Sequence, residues 1–206
     1  MSVAYARDYA WLQETQPDLA EAYCLSYVRG LSRNEALRRL GANERDMRCL
    51  PIAEAVEADL CSESTPPCTA HALSVGGWSV VVEPTGCRAA HPEVYRMLSA
   101  ETEVVSVRVV MEHRYEFRWV IDGVLQTFFD ARSPETRRGT RPDALVDHLS
   151  AVGLLPPASE TAGAPEPGAA VLAVADRVTG VRVRPAHLAG PLLGAELDRA
   201  LPLPLR

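Results

Sequence analysis

The sequence contains no lysine, so all 21 of its basic side chains are arginines. Isoleucine and asparagine are also scarce, with two residues each, whereas alanine occurs 29 times. This bias is typical of a GC-rich genome, whose codons favour Arg, Ala, Gly and Pro. The abundance of arginine is therefore weak evidence for a phosphate ligand. The formal net charge of −6 disfavours nucleic acid and anionic lipid as partners.

The chain also lacks a run of about 18 apolar residues, so no membrane span is predicted. Its apolar fraction of 47% and its small net charge exclude a wholly disordered chain. The five cysteines are odd in number and irregularly spaced, which is not the pattern of a disulfide framework. The first fifteen residues lack the apolar core of a signal peptide. We therefore expect a cytoplasmic protein.

Common catalytic motifs are missing from the sequence. It has no Gly-x-Ser-x-Gly elbow, His-Glu-x-x-His pair, Walker loop or dinucleotide-binding glycine fingerprint. The one plausible metal set is Cys61, Cys68, His71 and Cys87, whose spacing matches none of the usual zinc patterns. We predict neither a metal nor a cofactor, and an active site assembled from scattered residues stays open.

Helical spacing of apolar residues dominates the first sixty positions. It predicts four helices: one carrying Tyr5, Tyr9 and Leu12, one from Pro17 to Gly30, one from the capping box at Ser32 to Leu40, and one over 51–60. A connector over 61–74 follows, and then a region rich in β-branched and aromatic residues. Strands are predicted over 78–83, 103–111, 114–121 and 124–130, with a short helix over 92–98.

The pair Asp122-Gly123 predicts a two-residue hairpin between the last two strands. Counted outward from that turn, Phe117 lies opposite Phe128. By the same count, Trp119 faces Gln126 and Arg118 faces Thr127.

The rest of the chain is predicted as an arginine-rich loop over 131–141, a helix over 142–152, a helix over 169–178 and a short helix near 192–200. The fold class is then α+β, with an antiparallel sheet of about four strands over 76–130 packed on helices from both the N-terminal and the C-terminal segments. The predicted organisation is an α+β domain over 1–155, a flexible Pro/Ala/Gly linker over 156–168 and a C-terminal helical segment over 169–206 that packs on the main domain.

Two sets of charged residues are candidates for binding. Counting with a period of two places Glu83, Arg108, Glu116 and Arg118 on the polar face of the sheet. They form either a carboxylate–guanidinium site in a cleft or a solvated face with cross-strand ion pairs.

The second set comprises Arg132, Arg137, Arg138 and Arg141, which fall within ten residues between a strand end and a helix start. Guanidinium groups at such a position suit a carboxylate or a phosphate. The alternative is a solvated loop whose charges are partly balanced by neighbouring acidic residues.

The stretch from Gly76-Gly77-Trp78 to Glu83-Pro84-Thr85-Gly86 resembles the GGW(x)4EPxG stretch of an uncharacterised actinomycete family, a domain of unknown function. Similar segments include Ala20–Tyr23, Asp122-Gly123 and Pro142–Leu145, so the resemblance extends over nearly the whole chain. It implies a high-GC Gram-positive source and a stand-alone domain. It implies no activity, cofactor or catalytic residue.

Two functions are compatible with these observations. The first is a small intracellular module, of a regulatory or immunity-like kind, that binds a protein partner through the sheet face and the arginine-rich loop. The alternative is an accessory enzyme of small-molecule metabolism that acts on an anionic substrate. A concave pocket of about 300 Å³ or more with a buried carboxylate and convergent donors would favour the enzyme. A flat face with an exposed apolar patch would favour the module.

Overall fold

An antiparallel sheet of eight strands lies at the centre of the computed structural model, which describes residues 3–60, 68–86, 88–111, 113–155 and 164–198. The strands are β1 (Ala22–Arg29), β2 (Arg48–Pro51), β3 (Thr69–Val75), β4 (Trp78–Pro84), β5 (Glu103–Val110), β6 (Arg114–Ile121), β7 (Val124–Asp130) and β8 (Pro191–Glu196). Their order across the sheet is β2-β8-β3-β4-β1-β5-β6-β7. The predicted α+β class with an antiparallel sheet is confirmed, but the sheet has eight strands rather than about four.

The second helix, predicted from Pro17 to Gly30, ends at Glu21 in the structure. Strand β1 takes up most of the remaining residues of the predicted range. The helical spacing of Leu19 and Tyr23 was misleading, because β1 is a central strand whose residues 23–28 are all buried. Its odd-numbered residues, such as Leu25, pack on one side of the sheet, and its even-numbered residues, such as Val28, pack on the other. A strand that is buried on both faces shows no alternation of polar and apolar residues.

Three further strands escaped prediction because long-range pairing, rather than local sequence, makes them strands. β3 lies in the predicted connector, and β8 lies where a short helix near 192–200 was predicted. β8 contains proline and glycine, yet it pairs with β2 on one edge and with β3 on the other. The C-terminal part of the described chain therefore completes the sheet.

Eight α-helices are present in the described segments. They are α1 (Trp11–Thr15), α2 (Pro17–Glu21), α3 (Arg33–Arg39), α4 (Ile52–Leu60), α5 (Pro92–Leu98), α6 (Val146–Ala151), α7 (Pro167–Thr179) and α8 (Pro185–Leu188). The predicted cap of α3 is confirmed, since the Ser32 hydroxyl accepts a hydrogen bond from the Glu35 N–H at 3.2 Å. None of these helices combines the length and the apolar character that crossing a bilayer requires.

Helix α7 begins inside the predicted linker. The Glu166 carboxylate accepts hydrogen bonds from the N–H groups of Gly168 and Ala169, at 2.7 and 2.5 Å, and so starts the helix at Pro167. Residues 156–163 of the predicted linker lie outside the described residues.

Helices cover both faces of the sheet. Val171 and Val174 of α7 share a buried cluster with Leu25, and we call this side of the sheet the α7 face. Leu37 of α3 and Leu98 of α5 belong to a second cluster on the opposite side, which we call the α5 face. The fold therefore has three layers, helices on either side of a sheet.

The Asp122-Gly123 hairpin is confirmed, and both residues have the positive φ angles, 44° and 74°, that its tight turn requires. The predicted register is wrong beyond the turn, because a β-bulge lies between Trp119 and Val120. Phe117 is therefore paired and stacked with Phe129, with ring centroids 4.9 Å apart.

The bulge also moves Phe128 opposite Arg118. These two side chains consequently share the α5 face, and the predicted pairing of Arg118 with Thr127 is corrected. A local sequence pattern contains no sign of an extra residue in one strand.

Strand β8 depends on a glycine at position 194, which is paired with His71 of β3. A Cβ atom at Gly194 would overlap the ring nitrogen Nδ1 of the buried His71 side chain. We expect Gly194→Ala to lower the free energy of unfolding by about 1–3 kcal/mol in urea titrations, because the core must make room for the methyl group. Gly190→Ala is the matched control, since no atom of the described segments lies within 4 Å of a Cβ built there.

A double-mutant cycle with His71→Ala links this loss to the histidine ring. The cost of Gly194→Ala should be smaller when His71 is already alanine. An equal cost in both backgrounds would contradict the pairing of β3 with β8.

Candidate functional site

A row of polar side chains crosses the α5 face of the sheet. Cys24 of β1 is paired with Glu83 of β4 on one side and with Arg108 of β5 on the other, and Arg108 is in turn paired with Glu116 of β6. Arg118 lies two residues after Glu116 and so points to the same side. The four residues that the period of two assigned to one face do share it.

Glu83 is not part of the same cluster as the other three. Its buried carboxylate accepts hydrogen bonds from the N–H groups of Arg88 and Ala89, at 2.7 and 3.0 Å. Burial raises the pKa of Glu83 to about 7, although these N–H groups act in the opposite direction. A Cβ atom at Gly86 would lie 2.9 Å from the Cβ of Glu83. The Glu-Pro-Thr-Gly segment is thus a tight turn closed by its own glutamate, and folding alone explains it.

Glu116 is the centre of the cluster, and three guanidinium groups surround it. Arg118 Nη2 lies 2.8 Å from Oε2, Arg114 Nη1 lies 3.0 Å from Oε1, and Arg108 Nη1 lies 3.5 Å from Oε2. Burial by itself raises the pKa of Glu116, but Arg118 and the other two guanidiniums outweigh it and hold that pKa below its ordinary value. The carboxylate is therefore ionised at neutral pH and cannot serve as a proton donor there.

Arg118 is a buried cation with an unused donor. The residue is only 8% exposed, and its Nη1 is buried without a hydrogen-bond partner among the described residues. Nε of Arg108 is likewise buried without a hydrogen-bond partner among the described residues. An unsatisfied buried donor costs about 1–3 kcal/mol and more when it is charged, so folded proteins rarely leave one without a reason.

The arginine-rich loop contributes one residue to this cluster, Arg138. The backbone N–H and C=O of Arg138 bond to those of Phe128 at 3.0 and 2.7 Å, which fixes the loop against the edge of β7. Gly139, with φ of +124°, allows this approach, because a Cβ there would overlap the Gln126 carbonyl. The guanidinium groups of Arg138 and Arg118 lie 4.1 and 4.9 Å from the centroid of the Phe128 ring.

The other three arginines of the loop lie elsewhere. Their partners are the Tyr115 ring for Arg132, the Trp119 ring for Arg141 and the Asp143 carboxylate for Arg137. Tyr115 and Trp119 belong to the α7 face. The four loop arginines that the sequence grouped together therefore do not form one site.

These residues line a pocket of about 370 Å³ that we call the arginine pocket. Its lining consists of Ala90, His91, Pro92, Tyr95, Arg108, Arg114, Glu116, Arg118, Leu125, Phe128 and Arg138. Burial, and next the charge of Arg108, lower the pKa of His91, so its imidazole is neutral at pH 7. Four guanidinium charges against one carboxylate then give the pocket a formal charge of +3.

The pocket residues missed from the sequence include Arg114, Phe128 and His91. Arg114 precedes Glu116 by two positions in β6, so the same period of two that selected Arg118 could have selected it. Phe128 was assigned to the wrong register because of the bulge. His91 reaches the pocket only through the packing of the segment before α5, for which the sequence holds no signal.

The possible metal set is only partly described, because Cys61 and Cys87 lie outside the described residues. His71 is buried in the sheet, and its Nδ1 has no hydrogen-bond partner in the described part of the chain. Within the described ranges, no group of three His, Cys, Asp or Glu side chains has an arrangement that could hold a metal ion.

The contribution of Glu83 to stability should change with pH in the direction opposite to the contribution of an ordinary carboxylate. Because its pKa is raised to about 7 in the fold, from about 4.5, the folded state binds more protons than the unfolded state between these pH values. The contribution of Glu83 to stability should fall as pH rises from 4.5 to 7, by at most about 1.4 kcal/mol per pH unit. Urea titrations across this range should therefore show a pH-dependent difference between the wild type and Glu83→Gln.

Glu135→Gln, at an exposed position, is the matched control for the loss of one carboxylate. Burial lowers the pKa of His71 to about 4, which changes stability with pH in the opposite direction. The wild type and both variants share this effect, so it cancels in the comparison. A constant difference between the wild type and Glu83→Gln across the range would refute the prediction.

Comparison with known proteins places the chain in a family. The model of DUF6461, described as a family of unknown function, matches residues 1–191. The match includes every residue of the arginine pocket and ends where β8 begins. No curated protein and no solved structure shows significant similarity to the chain. Since the match extends over most of its length, the chain belongs to DUF6461, a family of unknown function.

Proposed function

We propose that the protein binds a small anionic molecule in the arginine pocket. The second function predicted from the sequence is an accessory enzyme of small-molecule metabolism that acts on an anionic substrate, and the proposal keeps the anionic ligand of that prediction. The observation that carries the proposal is the buried Nη1 of Arg118, a charged donor without a partner among the described residues.

Electrostatics within the cluster support an anion as the ligand. Arg108, Arg114 and Arg118 all lie within 3.5 Å of one carboxylate, so their like charges are also close to one another. Glu116 balances one of these charges and leaves the rest. A bound anion would offset this repulsion and accept from the unused donors at the same time.

The shape of the site supports a small molecule over a protein surface. The pocket is concave, has a volume of about 370 Å³ and contains a buried carboxylate. The large apolar side chains that are exposed in the described segments are those of Val3, Tyr5, Met97 and Val124, and none of them lines the pocket. A protein partner bound through the sheet face and the loop stays a prediction from the sequence, as do the actinomycete source and the cytoplasmic location.

The proposal concerns binding, because the pocket has few groups for acid–base chemistry. Glu116 is held as a carboxylate by its guanidinium neighbours. His91 is neutral at pH 7 and is the group of the pocket lining that can accept a proton there. An accessory catalytic role would therefore depend on His91.

Removing one pocket arginine should weaken anion binding without unfolding the protein. Arg138 is exposed and can be replaced by glutamine with little effect on the core. We expect Arg138→Gln to raise the dissociation constant of sulfate or acetate at least tenfold in isothermal titration calorimetry, because a charge-assisted hydrogen bond contributes about 1.5–3 kcal/mol.

The matched control is Arg141→Gln, from the same loop but stacked on Trp119 of the α7 face. It should bind both anions as the wild type does. The proposal would be rejected if Arg138→Gln bound sulfate and acetate as tightly as the wild type does. It would also be rejected if the wild type bound neither anion.

A further inference from the structure

We infer that the ligand of the arginine pocket is a phosphate monoester of a small molecule rather than a monocarboxylate. This inference rests on the proposed function and narrows its ligand class. It depends on three properties of the pocket: its charge, the directions from which its donors come, and the apolar part of its wall.

The charge of the pocket calls for more than one negative charge on the ligand. With a formal charge of +3, the pocket would keep two uncompensated positive charges beside a bound monocarboxylate. A phosphate monoester carries about −1.5 to −2 at pH 7 and leaves about one. This difference in uncompensated charge affects binding more strongly because the cluster is partly buried. Salt screens charges less there than on an open surface.

The donors of the pocket come from separate elements. The unused nitrogens are Nη1 of Arg118 on β6 and Nε of Arg108 on β5. Arg114 has a largely exposed side chain, and the guanidinium of Arg138 comes from the loop. A planar carboxylate is satisfied by one guanidinium in a two-bond pair, whereas a phosphate presents three acceptor oxygens in different directions. The arrangement matches the phosphate.

The remaining wall of the pocket is apolar. Pro92, Tyr95, Leu125 and Phe128 line it beside the cationic side chains, two of which, those of Arg118 and Arg138, lie over the Phe128 ring. Such a wall can contact the carbon skeleton of a ligand while the arginines hold its charged end. With a volume near the lower end for ligand sites, the pocket suits a compact phosphorylated molecule.

The titration of the ligand itself provides the test. Glycerol phosphate is the probe, and its second pKa of about 6 makes it mostly monoanionic at pH 5 and mostly dianionic at pH 7.5. Sulfate is dianionic at both pH values and corrects for any titration of the protein. Affinities are measured by calorimetry at constant ionic strength for glycerol phosphate, sulfate and acetate.

We expect glycerol phosphate to bind at least tenfold more tightly than acetate at pH 7.5. The ratio of its affinity to that of sulfate should rise up to about tenfold from pH 5 to pH 7.5. Arg114→Gln and Arg138→Gln should each weaken the binding of glycerol phosphate at least tenfold, and Arg141→Gln should leave it unchanged.

Three results would overturn the inference, and they differ in what else they overturn. If acetate binds as tightly as glycerol phosphate and both depend on Arg138, the pocket binds anions but is not selective for phosphate. If none of the three anions shows binding that depends on Arg138, the proposed function fails together with the inference. A pH-independent affinity ratio would also reject the dianion as the species bound.

Discussion

The arginine pocket depends on one buried carboxylate, that of Glu116. Its two oxygens lie within 3.5 Å of three guanidinium groups, which come from β5 and β6. Without this negative charge the three cations would repel one another in a partly buried environment, and without the cations the carboxylate would be costly to bury. The mutual dependence keeps the arginines close together, and all three line the pocket. Structural ion pairing and the proposed ligand binding would therefore use the same side chains.

The position of the pocket follows from two irregularities at the edge of the sheet. The bulge in the β6–β7 hairpin places Phe128 on the same face as Arg118, and the short pairing of the loop with β7 brings the Arg138 guanidinium over the same ring. Regular strands with the register predicted from the turn would have placed Phe128 away from this face. Bulges are frequent near functional sites for this reason, since they redirect side chains without breaking the sheet.

The stretch from Gly76 to Gly86 has a different role. Trp78 is buried in the core of the α7 face, and Glu83 closes the turn that leads to Arg88. Neither residue lines the arginine pocket. Trp78 and Glu83 thus bear on folding, and the pocket had to be found from the contacts of Glu116.

The sequence alone determined the elements whose signals are local. The Asp122-Gly123 turn, the capping box at Ser32 and the alternation along β5 and β6 depend on neighbouring residues, and they predicted the hairpin, α3 and the shared face of Arg108, Glu116 and Arg118. Tertiary structure alone decided β1, β3 and β8, since backbone pairing across the sheet makes them strands regardless of their apolar spacing. It also decided which loop arginine joins the pocket, because neighbouring arginines in a loop have equal charge and differ only in the partner that each one meets.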